Sequence, residues 1–183
     1  IADNAAIAKH VKDTYSVQAE VIAYGGDHAV RGKISEQKNS YDLALCRIEP
    51  ENNVEMILNA YASAPQQNIK FIGNWDNSVF GVQLKNKFSE YPNIDLVDPI
   101  YDIDTLFTIR NEAQRYIHGH SAGGTNPSLV EMMFFDIPIL CFDCDYNRAS
   151  TENKAYYFNS AGDLIKLLLE SIQGNAASML EIA

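Results

Sequence analysis

The chain has 183 residues, of which 46% are hydrophobic and 21% are charged. This length suits one domain with a substantial core, and the apolar share excludes a chain that is disordered throughout. No apolar run approaches the ~20 residues that a membrane-spanning helix needs. The 14 basic and 24 acidic side chains give a formal net charge of -10. Because nucleic acids and anionic membranes bind basic surfaces, this charge argues against both as partners.

The predicted secondary structure alternates short strands with amphipathic helices. In chain order we predict a helix over 3–15, a strand over 19–23, a polar loop over 31–40, a strand over 41–46, a helix over 54–61, a strand over 69–72, a helix over 80–88, a strand over 94–97, a helix over 102–112, a strand over 115–118, a helix over 126–135, a strand over 137–142, an edge strand over 156–158 and a helix over 164–172. This alternation predicts an α/β fold, a Rossmann-like parallel sheet with helices on both faces.

The same pattern indicates where a ligand should bind. In open parallel sheets, ligands bind at the carboxyl ends of the strands, where the strand order reverses. We therefore expect the loops after residues 23, 46, 72, 97, 118 and 142 to form one rim that carries the function.

The three cysteines form no even disulfide set, which favours a reducing cytoplasm. Cys141 and Cys144 have redox spacing, but they lie at the end of a predicted strand rather than at a helix start, so we expect no redox role. The chain begins at Ile1 without a signal peptide or an initiator Met. We therefore expect the natural protein to be longer.

The most informative segment is the glycine-rich stretch 118–131, which follows a strand and opens a helix. Gly123 and Gly124 allow a tight turn, Asn126 is a good N-cap, and Pro127 suits the first helical position. Unpaired backbone N–H groups at such a turn predict a phosphate site. The segment lacks the Lys of a P-loop and the glycine spacing of the dinucleotide fingerprint.

Glu131 lies five residues into that predicted helix, roughly 7 Å from the cap at ~1.5 Å per residue. Helical side chains lean toward the N-terminus, so its carboxylate can reach back past a diphosphate to two vicinal hydroxyls, such as those of a ribose. A carboxylate on an otherwise apolar helix needs a partner, because burying it unpaired is costly. The alternative is an ordinary capped turn with Glu131 at the solvent edge.

These features resemble the donor half of the retaining glycosyltransferases of family 4, which have the GT-B fold. The similarity covers nearly the whole chain. It is carried by the stretches 1–7, 24–27, 46–53, 118–128 and 137–139, with Glu131 on the helix between the last two. The segment His118-Gly-His-Ser-Ala-Gly-Gly-Thr-Asn-Pro-Ser128, with Asn147-Arg148 downstream, is similar to the corresponding sequence of a bacterial rhamnosyltransferase-like subgroup, whose members build surface polysaccharides.

The resemblance implies roles for individual residues. Glu131 would bind the ribose hydroxyls and Arg47 would neutralise the leaving diphosphate, so we take both as catalytic. Further contacts to the donor are expected from ten residues, of which Ile100 and Tyr101 would face the nucleobase. The full set is Gly26, Asn52, Asn53, Ile100, Tyr101, His120, Gly123, Gly124, Thr125 and Asn126. For His120 the alternatives of a hydrogen-bond donor, a structural contact and a packing role remain open.

Two positions depart from the family pattern. Many members carry a second Glu where this chain has Gly123, and a Lys where it has Asn52 or Asn53. The family mechanism needs no metal or other cofactor, and we expect none. Asp143-Cys-Asp145 matches a metal-binding Asp-x-Asp motif, with a polar loop as the alternative. His118 and His120 are too few ligands for a zinc site.

We expect residues 1–183 to be one C-terminal donor-binding domain of a longer two-domain enzyme, without its N-terminal acceptor domain. The donor would be a nucleoside diphosphate sugar such as dTDP-rhamnose, and the acceptor a saccharide or lipid-linked saccharide bound through the other domain. The location would be the cytoplasm, or the inner membrane face peripherally. A nucleotide-sugar 2-epimerase and a non-catalytic α/β binding module are the alternatives.

Overall fold

The computed structural model describes residues 1–170. Those residues form seven α-helices and six strands. In chain order they are α1 (Ala5–Tyr15), β1 (Asp42–Leu45), α2 (Val54–Ala62), β2 (Ile69–Ile72), α3 (Val79–Phe88), β3 (Ile94–Val97), α4 (Ile103–Glu112), β4 (Arg115–His118), α5 (Pro127–Met132), β5 (Ile139–Phe142), α6 (Asp145–Ser150), β6 (Tyr156–Phe158) and α7 (Ala161–Leu169).

The six strands form one sheet in the order β3-β2-β1-β4-β5-β6, and every neighbouring pair is parallel. The chain builds outward from β1 to β3 and then returns to place β4 on the other side of β1. The strand order therefore reverses between β1 and β4, the position where ligands bind in folds of this kind. The predicted α/β class, with a parallel sheet, is confirmed.

Helices cover both faces of the sheet. Successive strand residues point to opposite faces, so Leu43 belongs to one core and Ala44 to the other. The core on the Ala44 face packs against α2, α3 and α7, whereas the core on the Leu43 face packs against α4 and α5. None of the helices among residues 1–170 is long and apolar enough to cross a membrane.

The predicted strand over 19–23 is wrong. Only Val21 pairs, in an isolated parallel bridge with Ala2. Val21 and Ile22 are 47% and 55% exposed, so this apolar run finds no sheet neighbour and no core to pack against. Alternating apolar residues favour a strand only where one face is buried.

The helices also differ from the sequence prediction at several points. The cap of α1 is Asn4, whose side chain accepts from the backbone N–H of Ile7, rather than Asp3. α5 ends at Met132, three residues earlier than predicted, and a turn follows in which Asp136 has a φ of 54°. Helix α6 was not predicted, and the last two residues of the predicted helix over 164–172 lie outside the described residues.

A buried ion pair joins the amino ends of β1 and β4. Arg115 donates from Nε to Asp42 Oδ1 at 2.7 Å and from Nη2 to Asp42 Oδ2 at 2.8 Å. Tyr61 on α2 donates to the same carboxylate, and Arg115 Nη1 donates to the Leu168 carbonyl on α7. Burial and the neighbouring Asp42 raise the pKa of Tyr61 well above its ordinary value. This network ties two central strands to two helices.

Removing the Asp42 carboxylate should be costly, because it would leave the Arg115 guanidinium buried without its partner. We expect Asp42→Ala to lower the free energy of unfolding by about 3–5 kcal/mol, measured by urea denaturation. Asp95→Ala is the matched control, since Asp95 is 60% exposed and its contact with Lys70 is 3.5 Å long. It should change stability by less than about 1 kcal/mol. Equal effects of the two substitutions would contradict this role of Asp42.

Candidate functional site

The loops after β1 and β4 meet at the carboxyl edge of the sheet, where the strand order reverses. Asn53 donates from Nδ2 to the Gly119 carbonyl at 2.8 Å. Ser121 donates to the Glu51 carbonyl from both its backbone N–H, at 3.0 Å, and its hydroxyl, at 2.7 Å. These bonds hold the two loops together, so the predicted rim does bring its two central loops into contact.

Asn52 links Arg47 to His120. The buried Asn52 side chain donates from Nδ2 to the Arg47 carbonyl at 2.7 Å, and its Oδ1 lies 2.9 Å from His120 Nδ1. Burial lowers the pKa of His120 below its ordinary value. The two asparagines at the expected Lys position therefore bind the backbone and His120, and they hold the loops in place.

Glu131 is held by two basic side chains. Arg110 on α4 donates from Nη2 to Glu131 Oε2, and Nε2 of the exposed His28 lies 3.1 Å from Glu131 Oε1. The Arg110 side chain is buried, whereas that of Glu131 is 16% exposed. A carboxylate can accept about four hydrogen bonds, so Glu131 retains capacity for ligand hydroxyls.

Gly26 lies directly against the helix that carries Glu131. A Cβ at Gly26 would approach the Val130 carbonyl oxygen to 2.7 Å and the Glu131 Cα to 2.9 Å. The absence of a side chain at this position therefore allows the turn containing Gly26 to pack on α5. Its neighbour His28 reaches Glu131 because of that close approach.

The glycine-rich loop has some of its backbone N–H groups occupied and others open. Thr125 donates its N–H to Asp3 Oδ2 at 3.2 Å, and Ser128 donates to its cap Asn126 at 3.0 Å. Within residues 1–170, the N–H groups at 122–124 have no acceptor. Gly123 and Gly124 have φ values of 115° and 148°, which favour glycine. The N–H groups of the exposed Ala122 and Gly123 are thus open to an anion, whereas Gly124 is buried.

A cleft of about 310 Å³ lies on the β2 side of the site. Its lining includes Arg47, Gly73, Asn74, Ile100 and Tyr101, from the loops after β1, β2 and β3. Arg47 is exposed and forms no ion pair within the part of the chain that the structure describes. The structure therefore places Arg47 beside the expected nucleobase residues Ile100 and Tyr101, whereas residues 123–126 of the glycine-rich loop do not line this cleft.

Asp143 is engaged by an arginine. Arg148 donates from Nε and Nη2 to the two oxygens of Asp143, and this contact lowers the pKa of the Asp143 carboxyl. Across residues 1–170, no group of three His, Cys, Asp or Glu side chains is placed to hold a metal ion. His118 is fully buried, and burial lowers its pKa to about 3, so it is neutral.

Three contacts were not predicted from the sequence: those of Arg110 and His28 with Glu131, and that of Asp3 with Thr125. A buried carboxylate needs a cation or donor, and that rule signalled that Glu131 must have one. It did not identify the partners, because Arg110 lies 21 positions from Glu131 and His28 lies 103 positions away. Only the packing of α4 and the Gly26 turn against α5 brings them together.

Comparisons with known proteins find similarity in structure rather than in sequence. No protein-family model and no curated protein matches the chain. It matches a glycosyltransferase from Rickettsia africae ESF-5 with a TM-score of 0.76 and 11% identity, over 90% of this chain and 50% of that one. It matches the pneumococcal O-GlcNAc transferase GtfA, solved in complex with UDP and GlcNAc, with a TM-score of 0.69 and 14% identity, over 97% and 39% respectively.

A third solved structure is similar over most of its own length. It is the C-terminal domain of the glycosyl transferase group 1 family protein LpcC from Francisella tularensis, with a TM-score of 0.53 and 14% identity, over 73% of this chain and 75% of that one. Identities this low show the fold alone. The chain has the Rossmann-like fold of GT-B glycosyltransferase domains, and it spans half or less of the Rickettsia protein and of GtfA.

The Arg110 contact should be essential for keeping a charged Glu131 on α5. We expect Arg110→Met to lower the free energy of unfolding by about 2 kcal/mol, because it leaves the Glu131 carboxylate with His28 alone. Lys87→Met is the matched control, since Lys87 and its partner Glu55 are each 50% exposed. It should cost less than about 0.5 kcal/mol.

Adding Glu131→Gln to the Arg110→Met variant should recover part of the lost stability, because the unpaired charge is then removed. Both are measured by urea denaturation. A cost for Arg110→Met no larger than that of Lys87→Met would contradict the pairing.

Proposed function

We propose that this chain is the donor-binding domain of a glycosyltransferase and binds a nucleoside diphosphate sugar at the rim formed by the loops after β1 and β4. The observation that carries the proposal is the position of Glu131. Glu131 lies on α5, the helix that follows three backbone N–H groups without an acceptor among residues 1–170, and its partly exposed carboxylate is held by Arg110 on α4. A nucleoside diphosphate offers hydroxyls for the carboxylate and an anion for the N–H groups. GtfA, which shares this fold, was solved with UDP and GlcNAc.

The nucleobase would lie in the cleft beside Ile100 and Tyr101. Tyr101 is 89% exposed, and an exposed aromatic side chain there can stack on a base. The ribose would meet Glu131, whose free acceptor capacity suits vicinal hydroxyls. The diphosphate would lie between Arg47 and the N–H groups at 122–124. Because α5 has only six residues, we assign this contact to the loop and Arg47 rather than to a helix dipole.

Transfer of a sugar requires stabilisation of the departing diphosphate. Arg47 would supply a cation, and the loop N–H groups would supply fixed donors that need no reorientation during the reaction. No resident metal enters this scheme, since Asp143 of the Asp-x-Asp sequence is already bound by Arg148. Retention of configuration and a rhamnose donor are carried over from the sequence resemblance as part of the proposal.

We further propose that an N-terminal domain supplies the acceptor, a saccharide or lipid-linked saccharide of a bacterial surface polysaccharide. The chain spans 39% of GtfA, which leaves room in such an enzyme for a second domain. The 183-residue chain should then bind a nucleotide without transferring sugar. Its three cysteines are free, in keeping with the cytoplasm.

The proposed contact between Glu131 and the ribose can be tested with UDP and 2′-deoxy-UDP. We expect Glu131→Gln to weaken UDP binding by about 1–3 kcal/mol in calorimetry, because a charged acceptor for hydroxyls is lost. Wild type should prefer UDP over 2′-deoxy-UDP, and the variant should lose that preference. Glu90→Gln is the control, since Glu90 is exposed and follows α3.

dTDP also lacks the 2′-hydroxyl, so the ribose contact predicts that it binds more weakly than UDP, and tighter binding of dTDP would favour a dTDP-linked donor over this contact. If wild type binds none of the three nucleotides, the proposed function fails. If Glu131→Gln binds UDP like wild type and keeps its preference over 2′-deoxy-UDP, the assignment of Glu131 fails while nucleotide binding stands.

A further inference from the structure

The neighbours of His120 determine which of its two ring nitrogens carries the proton. The Arg47 carbonyl can only accept a hydrogen bond, and Asn52 Nδ2 donates to it at 2.7 Å. The amide of Asn52 therefore has its Oδ1 on the other side, 2.9 Å from His120 Nδ1. An amide oxygen can only accept, so Nδ1 carries the proton. In the neutral ring, Nε2 is then an acceptor.

The acceptor Nε2 of His120 faces open space above Gly123. A Cβ at Gly123 would lie 3.6 Å from Nε2, so any side chain there would begin to fill this space. No donor contacts Nε2 among residues 1–170. The ring is half-buried, and burial favours its neutral form. His120 Nε2 is thus an acceptor of fixed position, without a donor among the described residues, beside the space that a side chain at position 123 would fill.

His120 follows β4 and does not line the cleft. Its carbonyl accepts from Asn147 Nδ2 on α6 at 2.8 Å, and α6 follows β5. The cleft that contains Ile100 and Tyr101 is formed by the loops after β1, β2 and β3. In the sheet, β4 and β5 lie on one side of β1, whereas β2 and β3 lie on the other side. A ligand with its base in the cleft would extend past the diphosphate toward His120.

We propose that His120 Nε2 accepts a hydrogen bond from a hydroxyl of the glycosyl group of the bound nucleotide sugar, in the space left open by Gly123. This inference rests on the proposed function. It assigns His120 to recognition of the sugar rather than of the diphosphate, and it requires a sugar with a hydroxyl at that point. Asn52 is then a positioning residue, because it acts through the ring of His120.

A pair of substitutions separates the two nitrogen atoms of the ring. His120→Asn keeps a polar group near Nδ1 and removes Nε2, whereas His120→Gln places an amide near Nε2. The probes for calorimetry on the 183-residue chain are UDP, dTDP, UDP-GlcNAc and dTDP-rhamnose. We expect His120→Asn to bind the free diphosphates like wild type and the nucleotide sugar roughly fivefold more weakly, the effect of one hydrogen bond. His120→Gln should recover most of that loss.

Equal weakening of diphosphate and nucleotide sugar by His120→Asn, or no change in either, would overturn the proposal. If wild type binds no diphosphate, the proposed function fails and this inference fails with it.

A second readout needs no variant. Nitrogen NMR of the histidine rings should show His120 protonated at Nδ1, with an Nε2 shift on adding nucleotide sugar but not on adding diphosphate. Protonation at Nε2 instead would also overturn the proposal.

Discussion

The buried ion pair between Asp42 and Arg115 is the contact on which the geometry of the site depends. It joins β1 to β4, which pair at only two register positions, both near the amino ends of the strands. β1 and β2, by comparison, pair at four. Two buried charges are tolerated only when each is fully partnered. Tyr61 and the Leu168 carbonyl on α7 are further partners of the pair, so the pair also holds Tyr61 and the end of α7 in place. The loops at the opposite ends of β1 and β4 thereby start from fixed positions.

The electrostatics of the site are local. The chain carries a net charge of -10, which opposes an anionic ligand at long range. Physiological salt screens exposed charges beyond ~8 Å, so groups in direct contact decide whether a diphosphate binds. Arg110 is committed to Glu131, whereas Arg47 is exposed beside the cleft and the N–H groups at 122–124 have no acceptor among residues 1–170. These local donors compensate for an acidic surface.

The polar side chains of the site bind one another. Asn53 and Ser121 connect the loops after β1 and β4, and Asn52 orients His120. A site assembled in this way loses little conformational freedom when a ligand binds, which is the benefit of preorganisation. Where the family that the sequence resembles carries a Lys, this chain has amides that stabilise the loops. In the proposed function, cationic stabilisation of a diphosphate is therefore left to Arg47.

Periodicity and turn residues in the sequence determined the parallel α/β class, the exact bounds of four strands, and the loops that meet at the rim. These features depend on local backbone preference and on burial. The false strand over 19–23 shows the limit, since an apolar run becomes a strand only beside a sheet edge. Tertiary structure decided the partners of Glu131, the ring orientation of His120 and the contact of Asp3 with Thr125. Each joins residues from separate elements, and no spacing rule specifies which surfaces of two packed elements will touch.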